Sequence, residues 1–358
     1  MIPKGTVLLT KNGWEKIEDI NNSDKILSED GKYYPIKNIY HEKYSGYFFK
    51  IKTLYCLPVL LTPKHKITVS HVKKVRVGSK LEPKNIEFLN KEVRLLRNNE
   101  YLIMPILLEN HNYKHLISFL TKNKRIDVNL NDEISYILGR YTGDGCSTVY
   151  KRKNGFLKGA SNICFGINEL NELRSCVDIL IKNGFNVHVY KGKTNVYYLN
   201  FSFSYILSNF LEKNIGKKQN RKIPFFIFEH SNVSIIKNYI QGLLDADGCN
   251  HKGYYILTTS SIGLALQFQL LLTKLNILSF IEKKYRKGVF GDGYVYKVWV
   301  KNKRIRRCFI KYNNKYLLPI KSIEKIYIKN IDVFDIELKN NKSYLVSNLV
   351  CGWTSCSA

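Results

Sequence analysis

Ile134-Ser135-Tyr136-Ile137-Leu138-Gly139-Arg140-Tyr141-Thr142-Gly143-Asp144-Gly145 and Ile236-Lys237-Asn238-Tyr239-Ile240-Gln241-Gly242-Leu243-Leu244-Asp245-Ala246-Asp247-Gly248 are one pattern written twice. Each reads as an apolar helix that stops at Asp-Gly, with Cys146 or Cys249 next. Glycine just past the last helical residue is a common stop signal, so each aspartate is expected in its helix's last turn. Gly139 and Gly143 are four apart, as are Gly242 and Ala246. Small residues at that spacing let two helix backbones approach closely. If the helices pack through those faces, Asp144 and Asp247 meet side by side. Two carboxylates then share the negative poles of two helix dipoles and resist joint ionisation. A divalent cation removes the conflict, and all-oxygen ligands suit Mg²⁺. Paired sites of this kind can clamp the attacking and leaving oxygens of a phosphodiester. One Asp-Gly alone would be an ordinary turn; two, on matched helices with matched flanks, favour the paired site.

The two copies resemble the paired motif of LAGLIDADG homing endonucleases. Ile240-Gln241-Gly242-Leu243-Leu244-Asp245-Ala246-Asp247-Gly248 is nearly that family's consensus. The first copy departs from it, with Thr142 and Gly143 where Asp-Ala is usual, and keeps the metal-binding position as Asp144. The resemblance implies sequence-specific cleavage of double-stranded DNA with Mg²⁺ held by Asp144 and Asp247. Main-chain carbonyls near Gly143 and Ala246 are further candidate ligands. It also implies a basic residue near the metals in each half, for which Lys193 and Lys297 are the candidates, able to stabilise developing charge or polarise water.

The segments after each motif repeat as well. After the first come a strand (Ser161–Gly166), a helix (Leu170–Asn183) and the strand pair Asn186–Tyr190 and Val196–Ser202. After the second come Tyr254–Thr258, the helix Ser261–Leu275, and the pair Leu278–Glu282 and Tyr294–Val300. The motif aspartates stand 103 positions apart, about the length of one αββαββα half. Thr259-Ser260-Ser261 and Lys222-Ile223-Pro224 also resemble the family. The implied fold is a monomer with internal pseudo-twofold symmetry and one saddle-shaped sheet per half. A strand pair can lie in the major groove, where base edges are distinguishable. The basic residues Lys191, in the first half, and Lys283, Lys284, Arg286 and Lys287, in the second, are candidate phosphate and base contacts. Solvated hairpin charge is the plain alternative for any one of them. Arg304 and Arg306, within Lys301–Arg307, are candidate phosphate contacts in a run that also resembles a nuclear-localisation cluster.

The flanks read differently. Residues 1–105 are short strands with turn signals at Asn12-Gly13 and Asp30-Gly31, an all-β pattern. Strands are expected at Thr6–Thr10, Lys25–Ser28, Tyr34–Tyr40, Tyr47–Lys52 and Val59–Thr62, and later at Ser322–Ile328, Val333–Leu338 and Ser343–Val350. The order of features resembles the Hint fold of inteins and hedgehog autoprocessing domains: Gly5-Thr6-Val7, the block Thr62-Pro63-Lys64-His65, the closing stretch Leu95–Pro105, and Val333-Phe334-Asp335-Ile336-Glu337. In an intein a Cys or Ser nucleophile stands four positions before the glycine of Gly-Thr. Here that place holds Met1, whose thioether cannot attack a carbonyl. With no acyl shift to assist, His65 is read as structural. Gly352 and Trp353 stand at the closing His-Asn positions, and Trp353 has no side-chain amide to cyclise.

The fold expected is therefore α+β and all-β: a pseudo-symmetric double-motif endonuclease domain (106–318, halves about 130–215 and 230–315) inserted in a Hint-like β domain (1–105 and 319–358). Composition agrees with the partner. A net charge of +28 over 358 residues points to a polyanion. A membrane surface would instead want a basic amphipathic helix, and no run of 18 apolar residues spans a bilayer. The eight cysteines form no CxxC pair, which fits a reducing, intracellular setting, nuclear in a eukaryotic host. Two other readings remain: a protein-splicing intein, and a cleavage-dead, maturase-like binder of DNA or RNA.

Overall fold

A computed structural model describes residues 1–77, 80–107, 111–120, 125–153, 155–192, 195–202, 204–251, 253–287, 292–301, 309–341 and 343–352. Lys193, Arg304, Arg306 and Trp353 lie outside the described residues. The chain forms two compact units, one of Met1–Glu109, Phe268–Lys284 and Val300–Ala358, the other of Asn110–Gln267 and Tyr285–Trp299.

The first unit is built on a 13-stranded sheet. Its spine is the antiparallel pair Tyr33–Thr53 and Lys315–Leu338, strands of 21 and 24 residues. Separate strands were expected on each side of Ser45-Gly46 and again of Lys329-Asn330. The chain runs through both places because each strand continues to pair with the other, Gly46 with Ile328 and Tyr44 with Ile331. The left-handed backbone at Asn330 (φ 51°) is absorbed as a register shift rather than a turn. Phe48, Ile51, Ile67, Leu102, Met104, Leu317 and Ile336 of this sheet are fully buried. The closing segment is a short hairpin, Tyr344–Val346 and Leu349–Cys351.

The second unit opens with a hairpin the sequence reading passed over, His115–Leu120 with Arg125–Asn129. Helix α1 (Asp132–Asp144) follows, its first turn satisfied by the Asn131 side chain accepting from the Ile134 amide. Then come strands Gly145–Lys151 and Leu157–Gly166, α2 (Leu170–Lys182), strands His188–Lys191 and Val196–Ser202, and α3 (Tyr205–Ile215). These strands form one sheet in the order Gly145–Lys151, Leu157–Gly166, Val196–Ser202, His188–Lys191. A short α4 (Phe225–Phe228) starts behind Pro224 and precedes α5 (Val233–Asp247), which Asn232 caps. Strands Gly248–His251 and Tyr254–Thr259 pair next; along the chain α6 (Ile262–Lys274) and the strands Phe280–Arg286 and Gly293–Lys301 follow, of which Phe268–Lys284 and Val300–Lys301 are counted with the first unit. Gly293–Lys301 lies beside Tyr254–Thr259. Among the described residues no helix is long and apolar enough to cross a membrane.

Candidate metal centre at the end of a helix pair

Helices α1 and α5 touch backbone to backbone. A Cβ built on Gly139 would overlap the Tyr239 carbonyl oxygen, and one on Gly242 would overlap that of Tyr136. A Cβ on Gly143 would overlap the Ala246 side chain. Glycine is thus required at 139 and 242 by space rather than by dihedral angle. Two of the polar contacts across the seam form a matched pair at the same 103-residue offset. Tyr136 donates its hydroxyl to Asp245 Oδ2 at 2.9 Å, and the Tyr239 hydroxyl pairs with Thr142 Oγ1 at 2.8 Å. Thr142, the departure from the usual motif, is fully buried and also donates to the Leu138 carbonyl at 2.7 Å. A carboxylate in that enclosed place would lack solvent, whereas Asp245 is half-buried and also accepts from Gln241 at 2.6 Å.

Both helices end where the sequence indicates, with a different local cause. Gly145 and Gly248 are extended (φ −79° and −92°) and lead straight into strands, so neither uses the left-handed conformation usual for a stop glycine. A Cβ at either would overlap the carbonyl four residues earlier, Tyr141 or Leu244, which accepts the helix's last main-chain bond. Asp144 and Asp247 are therefore the final helical residues, half-buried at the negative poles of both dipoles. Burial raises the Asp144 carboxyl to about 6, with the Asp247 charge adding to it. Burial raises Asp247 as well. The repulsion belongs to the pair, which titrates as a unit.

The cations that oppose this shift are Arg140 and Arg221, two residues the sequence reading missed. Arg140 is fully buried, with Nη1 donating to the Asp245 carbonyl, Nη2 to Glu169 Oε1 at 2.9 Å, and the Phe165 ring 4.7 Å away. Burial works against its charge and Glu169 outweighs that, so its pKa is raised. Arg221 donates to the carbonyls of Thr142 and Gly145, the latter at 2.7 Å. The signal for Arg140 was present: a charged residue inside an apolar motif, one turn before the aspartate. Arg221 stands one residue before the Lys222-Ile223-Pro224 stretch and had no such mark.

The donor set fits a hard divalent ion. Among the described residues no three His, Cys, Asp or Glu side chains converge. Two carboxylates and the carbonyls of the last turns leave positions for water and phosphate oxygens, the coordination Mg²⁺ favours. Of the other candidates, Lys297 is half-buried on Gly293–Lys301. Lys191 ends His188–Lys191, exposed, with Nζ 5.9 Å from the Tyr197 ring. Lys283, Lys284 and Arg286 are exposed on Phe280–Arg286, with Lys287 just after; Lys284 pairs with Glu282 at 3.2 Å.

A second polar cluster lies in the first unit. His65 is fully buried, with Nδ1 3.0 Å from the Met1 amine and 3.6 Å from Asp335 Oδ2. The amine also donates to Thr62 Oγ1 at 2.8 Å, and the Tyr344 hydroxyl donates to Asp335 Oδ1 at 2.9 Å. Burial and the neighbouring amine hold the His65 pKa below the usual range, against the pull of Asp335. Gly352 is buried, its amide donating to the Lys66 carbonyl at 3.0 Å.

The ATP-dependent DNA helicase Hel308 of Thermococcus kodakarensis is 23% identical, the match covering 96% of this chain and 35% of the helicase. The replication factor C small subunit of Methanocaldococcus jannaschii is 25% identical over 90% of this chain and 19% of its own. The chain thus spans about a third or less of the length of these curated relatives. Among solved structures, the homing endonuclease I-DmoI in complex with DNA and Mn aligns with a TM-score of 0.38 and 17% identity, over 48% of this chain and 91% of that one. The LAGLIDADG meganuclease I-AabMI bound to uncleaved DNA aligns at 0.30 and 13%, over 48% and 79%. A family model described as the LAGLIDADG-like domain matches residues 234–312, which contain all of α5 but Val233, with Asp247. The chain carries a LAGLIDADG-like domain.

Proposed function

We propose that this chain is a site-specific endonuclease that hydrolyses both strands of double-stranded DNA with Mg²⁺. The observation that carries the reading is the seam itself: two glycine-apposed helices ending together in half-buried Asp144 and Asp247. Asp144 and Asp247, with the main-chain oxygens of Gly143 and Ala246, would hold the metal. When bound, it supplies Lewis-acid activation of water and charge stabilisation at the phosphate. The helix ends hold the carboxylates in place. Lys297 and Lys193 are the proposed basic residues. Lys191, Lys283, Lys284, Arg286, Lys287, Arg304 and Arg306 are the proposed DNA contacts, supported by the +28 net charge.

The finer parts of the proposal are a monomer of two pseudo-twofold halves and an intein-derived, splicing-inactive Hint-like flank. The matched cross-helix pairs Tyr136–Asp245 and Tyr239–Thr142 support the first. The convergence of Thr62, His65 and Asp335 near Met1 supports a Hint-like scaffold, with a thioether where a nucleophile would act. The test is incubation with a randomised duplex DNA library plus Mg²⁺. The parent is expected to produce cut ends, and Asp144→Asn or Asp247→Asn to lose at least roughly 10³-fold in rate while still binding DNA. Cleavage surviving in both variants rejects the metal assignment.

A further inference from the structure

Arg140 and Arg221 come from unrelated positions and do the same work at the two helix ends. Arg140 on α1 donates to the main-chain oxygen of Asp245 on α5, and Arg221, ahead of α4, donates to that of Thr142 on α1. Thr142 and Asp245 are the equivalent positions of the two motifs, each two residues before the motif aspartate. The arginines themselves are not equivalent: the second motif has Leu243 where the first has Arg140, and Ser118 stands 103 positions before Arg221. A carbonyl in a helix's last turn has no partner within the helix and carries part of its negative pole. Guanidinium, planar and always charged, is suited to that acceptor. The two poles therefore receive the same cation by different routes. Arg140 adds a cost: among the described residues its Nε has no partner, although the side chain is fully buried. An incompletely paired buried cation needs compensating negative charge. Glu169 supplies part of it, and the poles and the two aspartates supply the rest.

Resting on the metal-centre reading above, we propose that Arg140 and Arg221 are positioning residues acting as internal counter-charges, which hold Asp144 and Asp247 together at the helix ends before a divalent ion arrives. The ion then enters an assembled seam rather than creating it.

The test is calorimetric unfolding of the full chain in EDTA for the parent, Arg221→Met, Asp144→Asn and the double variant. Arg221→Met is expected to lower the midpoint by about 4 °C in the parent. In the Asp144→Asn background the loss is at most about half of that, because a neutral amide leaves less charge to offset. Arg221→Lys, which keeps the charge, recovers more than half of the loss. Saturating Mn²⁺ raises the midpoint of Arg221→Met more than that of the parent. Arg140→Met, the harsher change, folds better in the Asp144→Asn background than in the parent. A purely packing role gives the same loss in every background. Additive losses in EDTA, or Mn²⁺ shifts no larger in the variant than in the parent, overturn the inference. No arm depends on cleavage. A chain with coupled losses that leaves DNA uncut counts against the nuclease reading alone, and a cutting chain with additive losses counts against this inference alone.

Discussion

α1 and α5 share a plan and differ in what surrounds them. They agree where the backbones touch (Gly139, Gly242), where each helix ends (Gly145, Gly248) and where the carboxylates stand (Asp144, Asp247). They differ at Arg140 against Leu243 and at Thr142 against Asp245. Thr142 is enclosed and Asp245 half-open, and Arg140 is the partner of Glu169. The comparison teaches which motif positions answer to the seam and which to local surroundings. Close approach and helix termination are common requirements; charge supply is met separately at each end.

The largest effect expected from probing that plan is steric. Gly139→Ala and Gly242→Ala each place a methyl against a partner carbonyl. Overpacking of about 3 kcal/mol or more outweighs the ~1 kcal/mol gained from alanine's helix propensity. Urea unfolding should show both variants destabilised by similar amounts; a loss at only one would mean the helices are not equivalent partners in the seam.

Acid comes next in size. The Asp144 carboxyl lies near 6 against an ordinary 3.8, so below pH 6 protons compete with a metal. The Mn²⁺ concentration for half-occupancy should rise roughly fivefold between pH 6 and 5. Stability of the metal-free protein runs the other way. A carboxyl whose folded pKa is raised contributes stability fully below about 4, and loses it as pH rises through about 6. Asp144→Asn should flatten the stability profile, and an unchanged stability profile in that variant would assign the titration elsewhere.

The smallest effects separate the two tyrosine pairs. Tyr239→Phe strands part of a buried hydrogen bond to Thr142 and should cost about 1 kcal/mol. Tyr136→Phe leaves Asp245 with Gln241 and solvent, and about 0.5 kcal/mol is expected. Equal losses would show that Asp245 depends on Tyr136 as much as Thr142 does on Tyr239.

The helix pair was legible in the sequence because its signals are local: small residues four apart, an apolar stripe, an Asp-Gly stop. The helices expected to end at Asp144 and Asp247 and those at Leu170–Asn183 and Ser261–Leu275 rest on the same apolar pattern, and the structure has them at Asp132–Asp144, Val233–Asp247, Leu170–Lys182 and Ile262–Lys274. The long strands were not, because Ser45-Gly46 and Lys329-Asn330 are turn-like by composition and only a partner distant in the chain keeps them extended. The extended backbone of Gly145 and Gly248 was hidden for a related reason, the glycine being needed for clearance over a carbonyl. Arg221 was invisible because its acceptors are main-chain oxygens about 76 to 79 positions away, and backbone acceptors leave no mark in composition or spacing.

Binding of Mn²⁺, monitored by the loss of its free-ion electron paramagnetic resonance signal, tests most directly whether α1 and α5 build one centre. The parent's tightest Mn²⁺ binding should disappear in Asp144→Asn and in Asp247→Asn alike, with both variants folded. Mn²⁺ binding retained at the parent's level in both would contradict it.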